Sequence, residues 1–172
     1  MSSNDLHLGP THALYPGSFD VLTYGHLDVL RRASRMFDRV TMAVAENQAK
    51  RVSLFTAEER LEMLNEAIVD LKNVDARRFS ALTVEFARMI GAKVIIRGLR
   101  AVSDFESELQ MAMMNDSLAP ELTTIFLAPS PQFVFLSSTV VKEIARYGSD
   151  ISEFVPLHVQ ARVRARLREV RP

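Results

Sequence analysis

Cysteine is absent from the 172 residues, which removes disulfides, thiolate zinc sites and cysteine nucleophiles together. Net charge is lacking too. The 21 Lys and Arg balance 21 Asp and Glu, so no bulk field draws the chain to nucleic acid or to an anionic membrane surface. Anionic ligands must be met by a few placed cations. No apolar run approaches the roughly 18 residues of a membrane span. Residues 1–12 show no basic start followed by an apolar stretch; they read as a flexible N-terminal extension, set off by Gly9-Pro10, rather than as a signal peptide. A cytoplasmic protein with neither nucleic acid nor membrane as partner is expected. Neither G-x-G-x-x-G nor G-x-x-x-x-G-K-[ST] occurs, which argues against a dinucleotide dehydrogenase or a P-loop enzyme. A nucleophile elbow and a cluster of metal ligands are also missing, so no protein-held metal is expected.

What is present suits one globular domain, taken as residues 13–172: 48% of the chain is hydrophobic and 24% charged. Strand and helix signals alternate. Strands are expected at 11–15, 40–44, 74–79, 93–97 and 124–127. A helix from Gly25 has Leu27, Leu30, Ala33 and Phe37 on one face. Thr56-Ala57-Glu58-Glu59 is a capping box opening a helix with the stripe Leu61, Leu64, Ile68 and Leu71. A short helix runs from Thr83 to Gly91. A second capping box, Ser103 to Glu106, opens a helix carrying Phe105, Leu109, Ala112 and Met113. Further helices start near Ser138, ending by Gly148, and after Pro156, with Val159, Val163, Leu167 and Val170 inward. Arg162, Arg164, Arg166 and Arg168 read as the solvated face of that last helix. The pattern predicts an α/β fold: a single Rossmann-like domain with a five-stranded parallel sheet flanked by helices and a C-terminal helix. Such sheets bind ligands beyond the carboxyl ends of their strands.

The unusual residues fall just there. Tyr15-Pro16-Gly17-Ser18-Phe19-Asp20 follows the first strand, and Thr23-Tyr24-Gly25-His26 opens a helix. Gly17 spares a phosphate the obstruction of a Cβ, Gly25 allows close approach, and His26 sits where free N–H groups favour an anion. Lys50 and Arg51 lie in the polar loop after the second strand. Arg97, ending an apolar strand, suits a phosphate clamp or pairing with a carboxylate. Ser137-Ser138-Thr139 supplies more hydroxyls than one helix cap needs. Together these make a polyanion site.

The segments YPGSFDVLTYGH (15–26), IIRGLRAVSDFE (95–106), ELQMAMMN (108–115) and FLSSTVVKE (135–143) resemble the bacterial phosphopantetheine adenylyltransferases, a branch of the nucleotidylyltransferase superfamily. The resemblance runs from about Ala13 to Leu167. It implies transfer of the adenylyl group of ATP to 4′-phosphopantetheine, giving dephospho-coenzyme A and pyrophosphate; another small nucleotidylyltransferase with a different phosphate acceptor is the alternative. Carried over by position, it makes His26, Lys50 and Arg97 catalytic, with His26 stabilising the transition state at the α-phosphate. ATP would meet Ser18, Phe19, His26, Gly98, Leu99, Arg100, Glu108 and the stretch Phe133, Val134, Phe135, Leu136, Ser137, Ser138, Thr139. Phosphopantetheine would meet Ser18, Lys50, Thr83 and Arg97. The resemblance also implies a homohexamer and feedback binding of coenzyme A. Mg2+ is expected on the polyphosphate, keeping much of its water shell. Three positions depart from the family pattern. Val21 stands where proline is common and is expected to loosen the turn, Ser107 replaces an aromatic residue, and Thr139 replaces serine.

Overall fold

The computed structural model of the chain describes residues 11–46, 53–100 and 102–169, so Lys50, Arg51 and Val170 lie outside the described residues. Five parallel strands form one sheet: β1 (His12–Gly17), β2 (Arg39–Ala45), β3 (Val74–Phe79), β4 (Val94–Gly98) and β5 (Thr123–Leu127). Their order is β3-β2-β1-β4-β5. The crossovers are the helices α1 (Tyr24–Met36), α2 (Ala57–Ala67), α3 (Thr83–Ile90) and α4 (Val102–Leu118). After β5 come a short 3-10 turn at Pro131–Phe133, α5 (Ser138–Arg146) and α6 (Leu157–Glu169). The chain runs outward from β1 in one direction and then the other, which opens a crevice beside β1 at its carboxyl end.

The period of two along the central strands sorts side chains onto two faces. Ala13, Tyr15, Val40, Met42 and Val44 join one core cluster with Leu27, Leu30 and Val159; Leu14, Ala43 and Ile95 join a second with Val84, Phe86 and Ala87. The Thr56 box forms as expected, its hydroxyl accepting from the Glu59 N–H while the Glu59 carboxylate accepts from the Thr56 N–H. Gly91 closes α3 at φ 72°.

Four expectations change. Thr11 and His12 belong to the sheet end of the chain rather than to an extension: the Thr11 N–H donates to Asp38 at 2.7 Å and His12 opens β1. α4 starts at Val102, one residue before the Ser103 from which the capping box is counted. Phe105, Leu109 and Met113 of α4 are exposed, because that helix turns Asn115 inward instead, with Ala119 buried just beyond its end. The arginines of α6 are not simply a solvated face. Arg162 pairs with Glu62 and Glu66 of α2, Arg166 pairs with Glu59 and lies over the Phe55 ring, and Arg164 pairs with Asp150. Among the described residues no helix is long and apolar enough to cross a membrane.

Candidate active site

The carboxyl ends of β1 and β4, the mouth of α1 and one side of α4 enclose a cleft of about 520 Å3. It is lined by Ser18, Phe19, His26, Thr83, Arg97, Gly98, Arg100 and Glu108, eight residues named from the sequence and drawn from five separate segments. Gly17 is needed for a reason other than the one expected. A Cβ there would sit 2.7 Å from the tip of the Phe19 ring, which folds back over the turn, so the obstruction is protein and not ligand. At Gly25, by contrast, a Cβ would make ordinary contacts at 3.5 Å and beyond.

His26 is the third residue of α1 and takes the place glutamate or glutamine holds in the usual capping box. Its Nδ1 accepts the Thr23 backbone N–H at 3.1 Å, while the Thr23 hydroxyl accepts the His26 N–H at 3.4 Å. Burial, then the Arg100 guanidinium, push the imidazole down to about 3. A neutral ring that accepts at Nδ1 carries its proton on Nε2. That nitrogen meets no hydrogen-bond partner among the described residues, and the ring lines the cleft. The cap thus fixes the tautomer, and the fold presents a neutral N–H donor. The Phe19 ring meets it edge to face at 5.2 Å.

Arg97 extends from the end of β4 and grips Glu108 of α4 through Nε and Nη2, the latter at 2.9 Å. The carboxylate pairing is the reading that holds, and Arg97 still lines the cleft with Nη1 outside that pairing. The Arg100 Nη1 donates to the Leu136 carbonyl at 3.1 Å, tying the loop after β5 to the cleft rim. Tyr15, beneath the floor, is pushed up by burial against the lowering pull of Arg97 and Arg100, so it stays a neutral phenol.

The stretch 133–139 departs from expectation. None of its residues lines the cleft. Phe133, Phe135 and Leu136 line a neighbouring cavity of about 680 Å3 with Tyr24, Val140 and Phe154. The hydroxyl surplus is also smaller than it looked. The Ser137 hydroxyl accepts from the Val140 N–H as the α5 cap, and the Ser138 hydroxyl donates to the Val21 carbonyl at 2.7 Å, leaving Thr139 exposed. Leu99 follows β4 but is not in the cleft wall, and Lys50 lies outside the described residues.

The turn at Val21 is not loose. Asp20 accepts from the backbone N–H groups of Leu54 and Phe55, both at 3.0 Å, and from Lys142 at 2.7 Å; Val21 itself is fully buried. The family-like V-K-E tail thereby gains a physical role, since Lys142 locks α5 to the first turn. Two residues of the site went unread in the sequence. Arg60 of α2 is buried against main-chain carbonyls, one of them Ser18. Asn115 of α4 is buried, its amide nitrogen without a partner among the described residues, and it lines a cavity of about 360 Å3 that shares Ala45, Phe79, Thr83 and Met111 with the cleft. An arginine four residues before a leucine and an asparagine amid methionines carry no motif; only burial singles them out.

A crevice at the strand-order reversal of a parallel sheet, holding a neutral histidine donor at a helix mouth and two arginines, belongs to the class of α/β nucleotide-binding folds that act on phosphates. The cytidylyltransferase-like family model matches residues 14–144. A solved nicotinic acid mononucleotide adenylyltransferase from Plasmodium falciparum, complexed with NaAD, has this fold, with a TM-score of 0.68 at 12% identity over 90% of this chain and 95% of that one. The chain belongs to the phosphopantetheine adenylyltransferase family. It is 55% identical to the phosphopantetheine adenylyltransferase of Gloeobacter violaceus over 90% of this chain and 95% of that protein. It is 56% identical to that of Methylococcus capsulatus over 87% and 91%.

Proposed function

We propose that this enzyme transfers the adenylyl group of ATP to 4′-phosphopantetheine, giving dephospho-coenzyme A and pyrophosphate, and that the cleft at β1 and β4 is where it does so. One observation carries the site assignment: His26 and the pair Arg97 and Arg100, from two separate segments, line one cleft. An oxygen of the acceptor phosphate attacks the α-phosphorus of ATP, the bond from that phosphorus to the bridging oxygen of the β-phosphate breaks, and pyrophosphate leaves with that oxygen. A phosphate monoester has a second pKa near 6, so the attacking oxygen is anionic at neutral pH without a general base. Catalysis rests on positioning and on donors aimed at the charge that builds on the phosphoryl oxygens. The His26 Nε2–H donates to an α-phosphate oxygen. Arg97 and Lys50 hold the acceptor phosphate, and Ser18 serves both substrates. Phe19, Gly98, Leu99, Arg100 and Glu108 meet ATP, and the 133–139 loop, tethered to the cleft by Arg100, covers its adenosine half.

The pantetheine arm extends past Thr83 into the adjoining cavity, where the unpartnered Asn115 amide offers a donor to one of its two amide carbonyls. Among the described residues no three acidic or histidine side chains cluster, and Glu108, the one carboxylate in the cleft wall, is engaged by Arg97. Mg2+ would arrive on the ATP phosphates rather than on a protein cage, and would supply neutralisation of phosphate charge. The exposed side chains Phe105, Leu109, Met111, Met113 and Met114 on α4 support burial against further copies of the chain in a homohexamer. Coenzyme A contains the dephospho-coenzyme A product, so feedback binding would fall in the same cleft. A cytoplasmic location agrees with the lack of cysteine and with the substrates.

Incubation with ATP, Mg2+ and 4′-phosphopantetheine, followed by mass detection of dephospho-coenzyme A, tests the reading. Product with nicotinamide mononucleotide or glycerol phosphate as acceptor, and none with phosphopantetheine, would replace it with the alternative.

A further inference from the structure

Arg60 is only 6% exposed, yet among the described residues it faces no carboxylate within ion-pair distance. Its donors go to main-chain carbonyls from three segments instead: Nη1 to Ser18 at 2.6 Å and, more weakly, to Ala45 at 3.4 Å, and Nε to Thr56 at 3.2 Å. A cation withdrawn from water normally needs an ionic partner, and filling space alone calls only for an apolar side chain. The guanidinium therefore does something that its volume does not.

The shortest of the three bonds shows what. The Ser18–Phe19 peptide is trans, and in a trans peptide the carbonyl and the following N–H point in opposite directions. With the Ser18 carbonyl drawn down onto the buried guanidinium, the Phe19 N–H is turned away from Arg60, and both Ser18 and Phe19 line the cleft. Phe19 stands at φ 46°, a backbone state that a non-glycine residue keeps only when its surroundings hold it there. Its N–H meets no protein acceptor among the described residues. We propose that Arg60 is a positioning residue: it sets the plane of the Ser18–Phe19 peptide so that the Phe19 N–H is presented to a phosphate oxygen of the nucleotide. Its charge also polarises that peptide, strengthening the donor on the far side. The proposal rests on the cleft being the phosphate site.

Two measurements test it. In wild-type protein labelled with 15N-phenylalanine, the Phe19 amide, assigned through Phe19→Tyr, shifts on adding inorganic triphosphate; an unmoved resonance at saturation overturns the proposal. In kinetics, Arg60→Met, which keeps length but not donors, lowers kcat/KM for ATP by roughly tenfold to a hundredfold, the factor of one charge-assisted hydrogen bond. Arg60→Lys, which still reaches one carbonyl, recovers part of the loss. Arg162→Ala, away from the cleft, is the control for stability alone. An Arg60→Met enzyme within about twofold of wild type, or a loss matched by Arg162→Ala at an equal fall in melting temperature, overturns the proposal. Should Arg60→Met not fold, the wild-type amide and Arg60→Lys decide. A wild type that shifts at Phe19 but forms no dephospho-coenzyme A refutes the activity and leaves the peptide's role standing.

Discussion

Burial and Arg100 hold the His26 imidazole near 3, so the ring is neutral wherever the acceptor phosphate is a dianion. One side chain thereby serves the helix with Nδ1 and the cleft with Nε2, and the two roles separate by mutation. His26→Ala loses both: turnover falls by roughly a hundredfold or more, as for a preorganised oxyanion donor, and the melting temperature falls with the cap. His26→Gln restores a capping-box residue, so its melting temperature stays near wild type while turnover remains low. In NMR titration the His26 ring stays neutral from pH 8 to pH 5; a transition near 6.5 would refute the tautomer argument. Arg97→Ala has a different signature. It raises KM for phosphopantetheine more than it lowers kcat, and it leaves Glu108 without its described partner. Steady-state kinetics with each substrate varied in turn checks this.

At the scale of elements, α5 is held in place from two ends of the sequence. Lys142 reaches Asp20 across 122 residues, and the Ser138 hydroxyl reaches the Val21 carbonyl across 117. The side chain of Asp20 is 5% exposed and that of Lys142 19%, so the pair is largely desolvated. Removing one partner of such a pair is costly. Lys142→Met is expected to lower stability by roughly 2 kcal/mol, less than for a fully buried pair because Lys142 keeps some solvent. It also loosens the helix that follows the 133–139 loop, raising KM for ATP. Urea midpoints and ATP kinetics measure the two effects separately. The segment leading into that loop has its own anchor: the Ser130 N–H and hydroxyl both donate to Asp28 of α1, at 2.8 and 2.9 Å.

For the whole molecule, two histidines begin the loss of stability on the acid side, above the range where the carboxylates protonate. His12 is lowered first by burial and then by Arg39, against the raising pull of the Ile90 carbonyl at Nδ1 and of Asp75, to which Thr41 donates while facing Nε2. His26 is lowered further. Unfolded, both take up protons near 6.5; folded, both resist. Between the folded and unfolded values the unfolded chain binds more protons, so stability is full above about 6.5 and falls as pH drops below it. Urea denaturation at pH 7.5 and pH 5 should show a clear loss at the lower pH, and a smaller loss in His26→Gln. An unchanged midpoint would mean that neither ring is held neutral by the fold.

Most of the architecture was legible along the chain. Strands came from apolar runs, α2 from its capping box and the end of α3 from Gly91, because each depends on neighbours within a few residues. The cleft residues that follow β1 and β4 were legible as well, since a parallel sheet places such segments at one edge, whereas Thr83 and Glu108 came from the family resemblance alone. The sequence by itself determined the alternation of five strands with helices, the turn at 15–20, the helix mouth at His26 and the arginine ending β4. Only the tertiary structure decided how the charges pair. Arg97 grips Glu108, Lys142 is used up by Asp20, the α6 arginines clasp α2 and the 150 region, and Arg60 is spent on carbonyls. The physical reason is range: a cap or a strand is written within about one turn of chain, whereas an ion pair or an orphaned amide such as Asn115 exists only once segments tens of residues apart have met and water has been excluded between them.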